Sequence, residues 1–164
     1  MYAYPADPLP TDLHSCARRG DADGIRRAVA RGANPNAQDR PGYTPLLLAA
    51  YNGHHDAVRT LLDLGAHPDL ADEVGQTALM GACFRGYPDI ARLLLARGAN
   101  VNARNCDGAT PLMFAALFGR PDIAEIFMAA GAERWATDRR GHTPGNLARG
   151  QGHHDVAELI EGWG

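Results

Sequence analysis

Residues 39–71 read DRPGYTPLLLAAYNGHHDAVRTLLDLGAHPDLA, and the remainder of the chain is a set of variants on this stretch. Sliding the 164-residue sequence against itself by about 33 positions aligns Thr11, Thr44, Thr77, Thr110 and Thr143 in one column. Gly20, Gly53, Gly86, Gly119 and Gly152 fill a second, and Gly32, Gly65, Gly98, Gly131 and Gly164 a third. Asp39, Asp72, Asn105 and Asp138 align too, as do Gly42, Gly75, Gly108 and Gly141, with no insertion or deletion from Thr11 onward. A fixed period of this length is the mark of a repeat array.

Within the unit, Thr44 followed by Pro45 reads as an N-cap and first helical position. The hydroxyl can accept a backbone N–H, and proline lacks the donor that would be orphaned there. Leu46, Ala49 and Ala50 make a narrow apolar stripe at i, i+3, i+4 spacing, with alanines small enough for close helix approach, until Gly53 ends a helix of about three turns. Val58, Leu61 and Leu62 repeat the spacing in a second helix, and Gly65 supplies a permissive residue just past its end. A single unit cannot bury both stripes, so neighbours must stack into one continuous core.

The pattern Asp-x-x-Gly-x-Thr-Pro-Leu-x-x-Ala-Ala-x-x-Gly, followed by an apolar helix closing in Gly-Ala, resembles the ankyrin repeat. The resemblance runs from residue 11 to 164. It implies an all-α solenoid with hairpin loops, built of five helix-turn-helix units at 11–38, 39–71, 72–104, 105–137 and 138–164, after an N-terminal tail at 1–10. It also implies an extended hairpin from Gly65 through Gly75, with Gly75 relieving steric strain at the tip. The outer units read as caps: Arg27 and Ala28 stand in the columns of Thr60 and Leu61, and Gly145 and Arg149 in those of Leu46 and Ala50. The alternative is decayed end repeats that dock on something else.

Net charge −3 and a pI near 6.1 disfavour a general nucleic-acid binder, which needs a concentrated basic surface. All 16 basic residues are arginine, so lysine Schiff-base chemistry is excluded. Fourteen of the 19 glycines fall in the three repeat columns and serve as punctuation rather than as a phosphate-cradling loop. No apolar run reaches the roughly 18 residues a membrane span requires, and MYAYPADPLP lacks a basic and then apolar leader pattern; the expected location is cytoplasmic. Cys16 and Cys83 occupy the alanine columns and read as core thiols, about 20 Å apart at ordinary helix spacing and beyond disulfide reach, while Cys106 falls at a hairpin tip.

Candidate chemistry is sparse. His54-His55-Asp56 and His153-His154-Asp155 resemble ligand clusters, but they occupy the same columns three units apart, about 30 Å, and adjacent histidines do not share a helix face. They read as turn histidines. Ser15, the only serine, stands in a partly buried column, and Cys106 with His142 has nothing to orient the histidine or build an oxyanion site. No catalytic residue, metal site or cofactor is expected. Gly81 inside the first helix of the third unit, where Pro is also replaced by Ala78, should soften that unit by about 1 kcal/mol relative to alanine. Trp135 is expected to pack over the next hairpin, the alternative being an exposed ring that serves as a contact anchor.

The family binds proteins through its hairpin tips and first helices, which line a concave groove. At the matching columns this chain carries Tyr43, Tyr51, Met80, Phe84, Met113, Leu117 and Phe118, bordered by Arg40, Arg85 and Arg104. The histidine that the family bonds to its threonine survives only as His14; its column continues Leu47, Met80, Met113, Asn146, so the three central units present apolar side chains there. Aromatic anchors ringed by arginine match interface hot spots. The expected function is a non-catalytic, monomeric module that binds a protein partner, not nucleic acid or membrane. An inhibitory or protective subunit of one enzyme or toxin is the alternative, and a self-assembling structural array a third reading.

Overall fold

The computed structural model describes residues 12–164; Thr11 and the expected tail over 1–10 lie outside the described residues. Among them run ten helices: α1 Leu13–Arg19, α2 Ala22–Ala30, α3 Pro45–Tyr51, α4 His55–Asp63, α5 Ala78–Arg85, α6 Pro88–Ala96, α7 Pro111–Leu117, α8 Pro121–Ala129, α9 Pro144–Gly150 and α10 His154–Glu161. Odd-numbered helices pack in succession to form one layer, even-numbered helices form the other, and each pair joins the two. The first helices are shorter than the sequence suggests. α3 has seven residues, about two turns, because Tyr51 is its last residue and Asn52 already caps it before Gly53.

The core is a ribbon of repeated columns. Leu13, Leu46, Leu79 and Leu112 are buried in the odd layer, and Leu61, Leu94, Phe127 and Ile160 in the even one. Ala49, Ala82, Ala115 and Ala148, with Ala50, Cys83 and Ala116 beside them, are wholly enclosed where odd helices meet. Cys16 and Cys83 are buried as expected, and desolvation of the Cys83 thiol pushes its pKa far above the ordinary range.

Between units, each hairpin is closed by its aspartate or asparagine. Oδ1 of Asp39, Asp72, Asn105 and Asp138 accepts the backbone N–H four residues on, from Tyr43, Gln76, Ala109 and His142. Successive hairpins are bonded to each other: Glu73 N–H donates to Pro41 O at 3.2 Å, Cys106 to Val74 at 3.0 Å and Arg139 to Asp107 at 2.9 Å. At Gly75, φ is +80° and an added Cβ would come within 2.9 Å of Asn105 Cα, so conformation and close hairpin stacking both require glycine.

His14, set apart in the sequence, places Nε2 at 3.0 Å from the carbonyls of both Ala37 and Tyr43 and so ties α1 to the next hairpin. The first turns of the other odd helices differ in a way the threonine column does not reveal. Thr44, Thr110 and Thr143 each accept an amide hydrogen bond from the third helical residue, whereas the Thr77 hydroxyl is buried without a partner.

The last unit is closed by an ion pair. Glu161 stands in a column otherwise filled by Val29, Leu62, Leu95 and Met128, and its carboxylate receives both Arg149 guanidinium nitrogens at 2.5 Å. A Cβ on Gly145 would lie 2.3 Å from Glu161 Oε1, so the glycine makes room for the carboxylate. Gly145 and Arg149, departures from the repeat pattern, are thus two parts of one arrangement.

Two outcomes are expected. Thr110→Val should destabilise the protein by about 1 kcal/mol in urea denaturation, while Thr77→Val, which removes an unbonded hydroxyl, should be close to neutral or stabilising. The Arg149 guanidinium holds the Glu161 carboxyl below the usual carboxylate range. Its stabilisation is therefore complete above the unfolded-state value, near pH 4.5, and is lost as pH falls through the lowered folded value. Glu161→Gln should lower the melting temperature at neutral pH and flatten its decline below about pH 5, measured by thermal denaturation at a series of pH values.

Candidate functional site

The aromatic side chains expected to form a partner surface stand at the C-terminal ends of the odd helices. Tyr51 is the last residue of α3, Phe84 the penultimate residue of α5 and Phe118 the C-cap of α7. Tyr51 and Phe84 stack with ring centroids 5.0 Å apart and planes 22° from parallel. Phe84 meets Phe118 edge to face at 5.0 Å, and Phe118 continues to Phe114 at 6.2 Å. The row crosses three units. Tyr51 and Phe118 are half-buried by these contacts, and Phe84 is 41% exposed.

Beneath the row lies a cavity of about 400 Å³ lined by Tyr43, Leu47, Tyr51, Gln76, Met80, Gly81, Phe84, Phe114 and Phe118, with no charged side chain. A second, of about 360 Å³, shares Phe114 but is otherwise bounded by Met113, Leu117 and Leu147 with Asp107, Asp138, Arg139, Arg140 and His142. The structure therefore brings Tyr43, Tyr51, Phe84 and Phe118 together and assigns Leu117 to a separate, mixed-charge hollow.

Three expectations need correction. Met80 and Met113, the third residues of α5 and α7, are each 1% exposed, so they line the cavities and offer no contact face. Arg104 is not a spare rim cation. Its Nη1 donates to Gly108 O at 3.3 Å and Thr137 O at 2.9 Å, the bridge that Gln38 builds two units earlier to Gly42 O and Ala71 O. Trp135 is 57% exposed rather than packed over a hairpin, with the Arg134 guanidinium 5.5 Å from its ring. In the same column Asn36, Asp69 and Asn102 accept an amide of the following unit, for which the indole has no oxygen. Arg40 and Arg85 are exposed as expected.

Phe114 and Arg120 matter to the face and were not singled out in the sequence, and Gly81, expected only to soften α5, lines the cavity beneath it. Arg120 reaches back one unit, donating from Nε to Cys83 O and from Nη2 to Phe84 O at 3.0 Å, and so satisfies the final carbonyls of α5 that hold Phe84 in place. Its register was legible: His54, in the same column two units earlier, bonds Arg18 O at 3.0 Å in the same manner.

The polar clusters do not assemble. His54 is committed to the Arg18 carbonyl, while His55 lies 3.8 Å from Asp56. Among the described residues no group of three His, Cys, Asp or Glu side chains is placed to hold a metal ion. Cys106 Sγ is directed at the Glu73 carbonyl and His142 Nδ1 at Asp138 Oδ2, so these two face different partners. No helix among the described residues is long and apolar enough to cross a membrane.

Comparison with protein families bears on all of this. A model described as ankyrin repeats in three copies matches residues 13–105, and one described as ankyrin repeats in many copies matches residues 94–148. The chain belongs to the ankyrin-repeat family, whose repeats generally mediate protein–protein interactions and are typically non-catalytic. No match to a curated protein was found. Residues 149–164 lie past the matched spans, yet α10 packs on both α8 and α9, and the divergence there coincides with the Arg149–Glu161 closure.

Of the three thiols, only Cys106 should react rapidly with a disulfide reagent in the native protein, with Cys16 and Cys83 following only on unfolding; a stopped-flow thiol titration checks this.

Proposed function

We propose that this chain is a non-catalytic recognition module that binds a protein partner on the face formed by the odd-numbered helices and their hairpins, centred on Tyr51, Phe84 and Phe118. The observation that carries the reading is the aromatic row. Three rings from three successive units stand in contact at the surface above a cavity without charge, and none of them is fully buried, Phe118 alone packing partly against the core. Rings held by one another, and by the Arg120 clamp on the α5 carbonyls, lose little rotamer freedom on binding, which favours them as anchors.

Exposed Arg40 and Arg85 border the row and suit acidic groups on the partner. The overall charge of −3 supports a protein rather than nucleic acid, and the module is read as a monomer in the absence of its partner.

The test begins with affinity capture using the intact chain and identification of what co-purifies. With that partner purified, Tyr51→Ala/Phe84→Ala should weaken binding by several kcal/mol, a hundredfold or more, with an unchanged melting temperature; Arg92→Ala, on the opposite layer, should leave affinity unaltered. Equal affinity of the double variant and the parent would refute the site.

A further inference from the structure

Resting on that reading, we infer that the cavity under the aromatic row receives one large apolar side chain of the partner, and that carboxylates flanking that side chain in the partner meet Arg18, Arg40 and Arg85. The occupant is an acidic peptide segment with a single apolar anchor.

Gly81 lines the cavity at the point where the neighbouring units carry bulky side chains. Its column holds Ser15, Leu48, Gly81, Phe114 and Leu147, so bulky apolar residues stand on both sides and a glycine stands between them. Gly81 lies in the interior of α5 with no positive φ, and a Cβ built on it comes no closer than 3.6 Å to Tyr51, an ordinary contact. Neither backbone geometry nor crowding demands glycine there, and in a helix interior it forfeits about 1 kcal/mol relative to alanine. What its absent side chain leaves is space, bounded by Tyr51 and Phe84 on one side and Phe114 and Phe118 on the other. An apolar wall with no charged group selects an apolar entrant.

The surrounding charge selects the entrant's neighbours. Arg18 occupies the Tyr51 column one unit earlier, Arg19 lies beside it, Arg85 adjoins Phe84 and Arg40 lies at the preceding hairpin tip. All four are exposed, and among the described residues none is paired with a carboxylate, whereas Arg26, Arg27, Arg92, Arg97, Arg104 and Arg149 are. Glu73 is the only carboxylate in the row of hairpin tips, Arg40, Glu73, Cys106, Arg139. In a chain with net negative charge, four cations without a carboxylate partner among the described residues, beside an uncharged aromatic cavity, form a local field of opposite sign to the whole. The second cavity has Asp107 and Asp138 on its walls and lacks this bias.

The probes are fluorescein-labelled synthetic peptides with a central leucine between runs of glutamate, the same peptide with central glycine, and a leucine peptide flanked by lysines, together with a short oligothymidylate strand. Anisotropy is read at low ionic strength against the full chain. The acidic leucine peptide should bind about tenfold more tightly than the other three, and added salt should weaken it. Gly81→Leu, which installs the Leu48 side chain of the preceding unit, should reduce that binding to the level of the glycine peptide without lowering the melting temperature. If Gly81→Leu does melt lower, Gly81→Ala makes the same comparison with a loss of about threefold and a raised melting temperature. The inference is overturned by equal or tighter binding of the lysine peptide or the oligonucleotide. It is equally overturned by unaltered binding in a folded Gly81 variant, or by no acidic-leucine binding up to about 1 mM. Should the captured partner lose affinity on Tyr51→Ala/Phe84→Ala while the peptides do not discriminate, the face stands and only this account of its ligand falls.

Discussion

No unit of this chain can enclose its own apolar residues, and the close approach of neighbouring odd helices across alanine and cysteine is the constraint from which the rest follows. Ala49, Ala50, Ala82, Cys83, Ala115 and Ala116 are fully buried where the helices touch. Side chains this small bring helix axes to the near end of the usual 8–10 Å range. At that separation, residues in the same or adjacent columns of consecutive units are in contact range, and so Tyr51 stacks on Phe84 in its own column and Phe84 meets Phe118, one position past its column, edge to face. The aromatic surface is a consequence of the packing beneath it.

The same register produces a second set of links running along the stack. His54 and Arg120 each reach back to carbonyls at the end of the preceding first helix, and Gln38 and Arg104 bridge consecutive hairpins. Each is a side-chain donor satisfying backbone acceptors that the local unit leaves open. Stability in such an array is a sum of unit terms and nearest-neighbour terms, so these links belong to the neighbour terms and their loss should be felt by two units at once. Where the apolar pattern stops, at Gly145, Arg149 and Glu161, a charged pair replaces burial, which suits a layer with no further helix pair among the described residues to cover it.

The central units have exchanged polar capping for apolar filling. His14 bonds two carbonyls, whereas Leu47, Met80 and Met113 in its column are buried, and at Thr77 the hydroxyl is left unbonded. The third unit also carries Gly81. The unbonded hydroxyl and the helix-interior glycine thus fall in the same unit, the one that contributes Phe84 and part of the lining of the uncharged cavity.

The repeat period, the helix pairs, the caps at Thr44, Thr110 and Thr143, the turn glycines, the buried cysteines and the aromatic columns were legible in the chain, because each depends on residues within one unit or on exact recurrence between units. Which side of a helix a methionine takes, whether an arginine is free or engaged, and whether a tryptophan finds cover depend on atoms about 30 residues away in sequence. Met80 and Met113 are buried in the column whose His14 reaches the carbonyls of the next hairpin, Arg104 was captured by two hairpin carbonyls, and Trp135 had no acceptor to offer the next unit. Gly81 is the clearest case: in sequence it registers only as a weak helix residue, and only the stacking of α3, α5 and α7 turns the missing side chain into a cavity. Local pattern determined the units, and the contacts between them decided the surface, because side-chain exposure in a stacked array is a property of two neighbours rather than one.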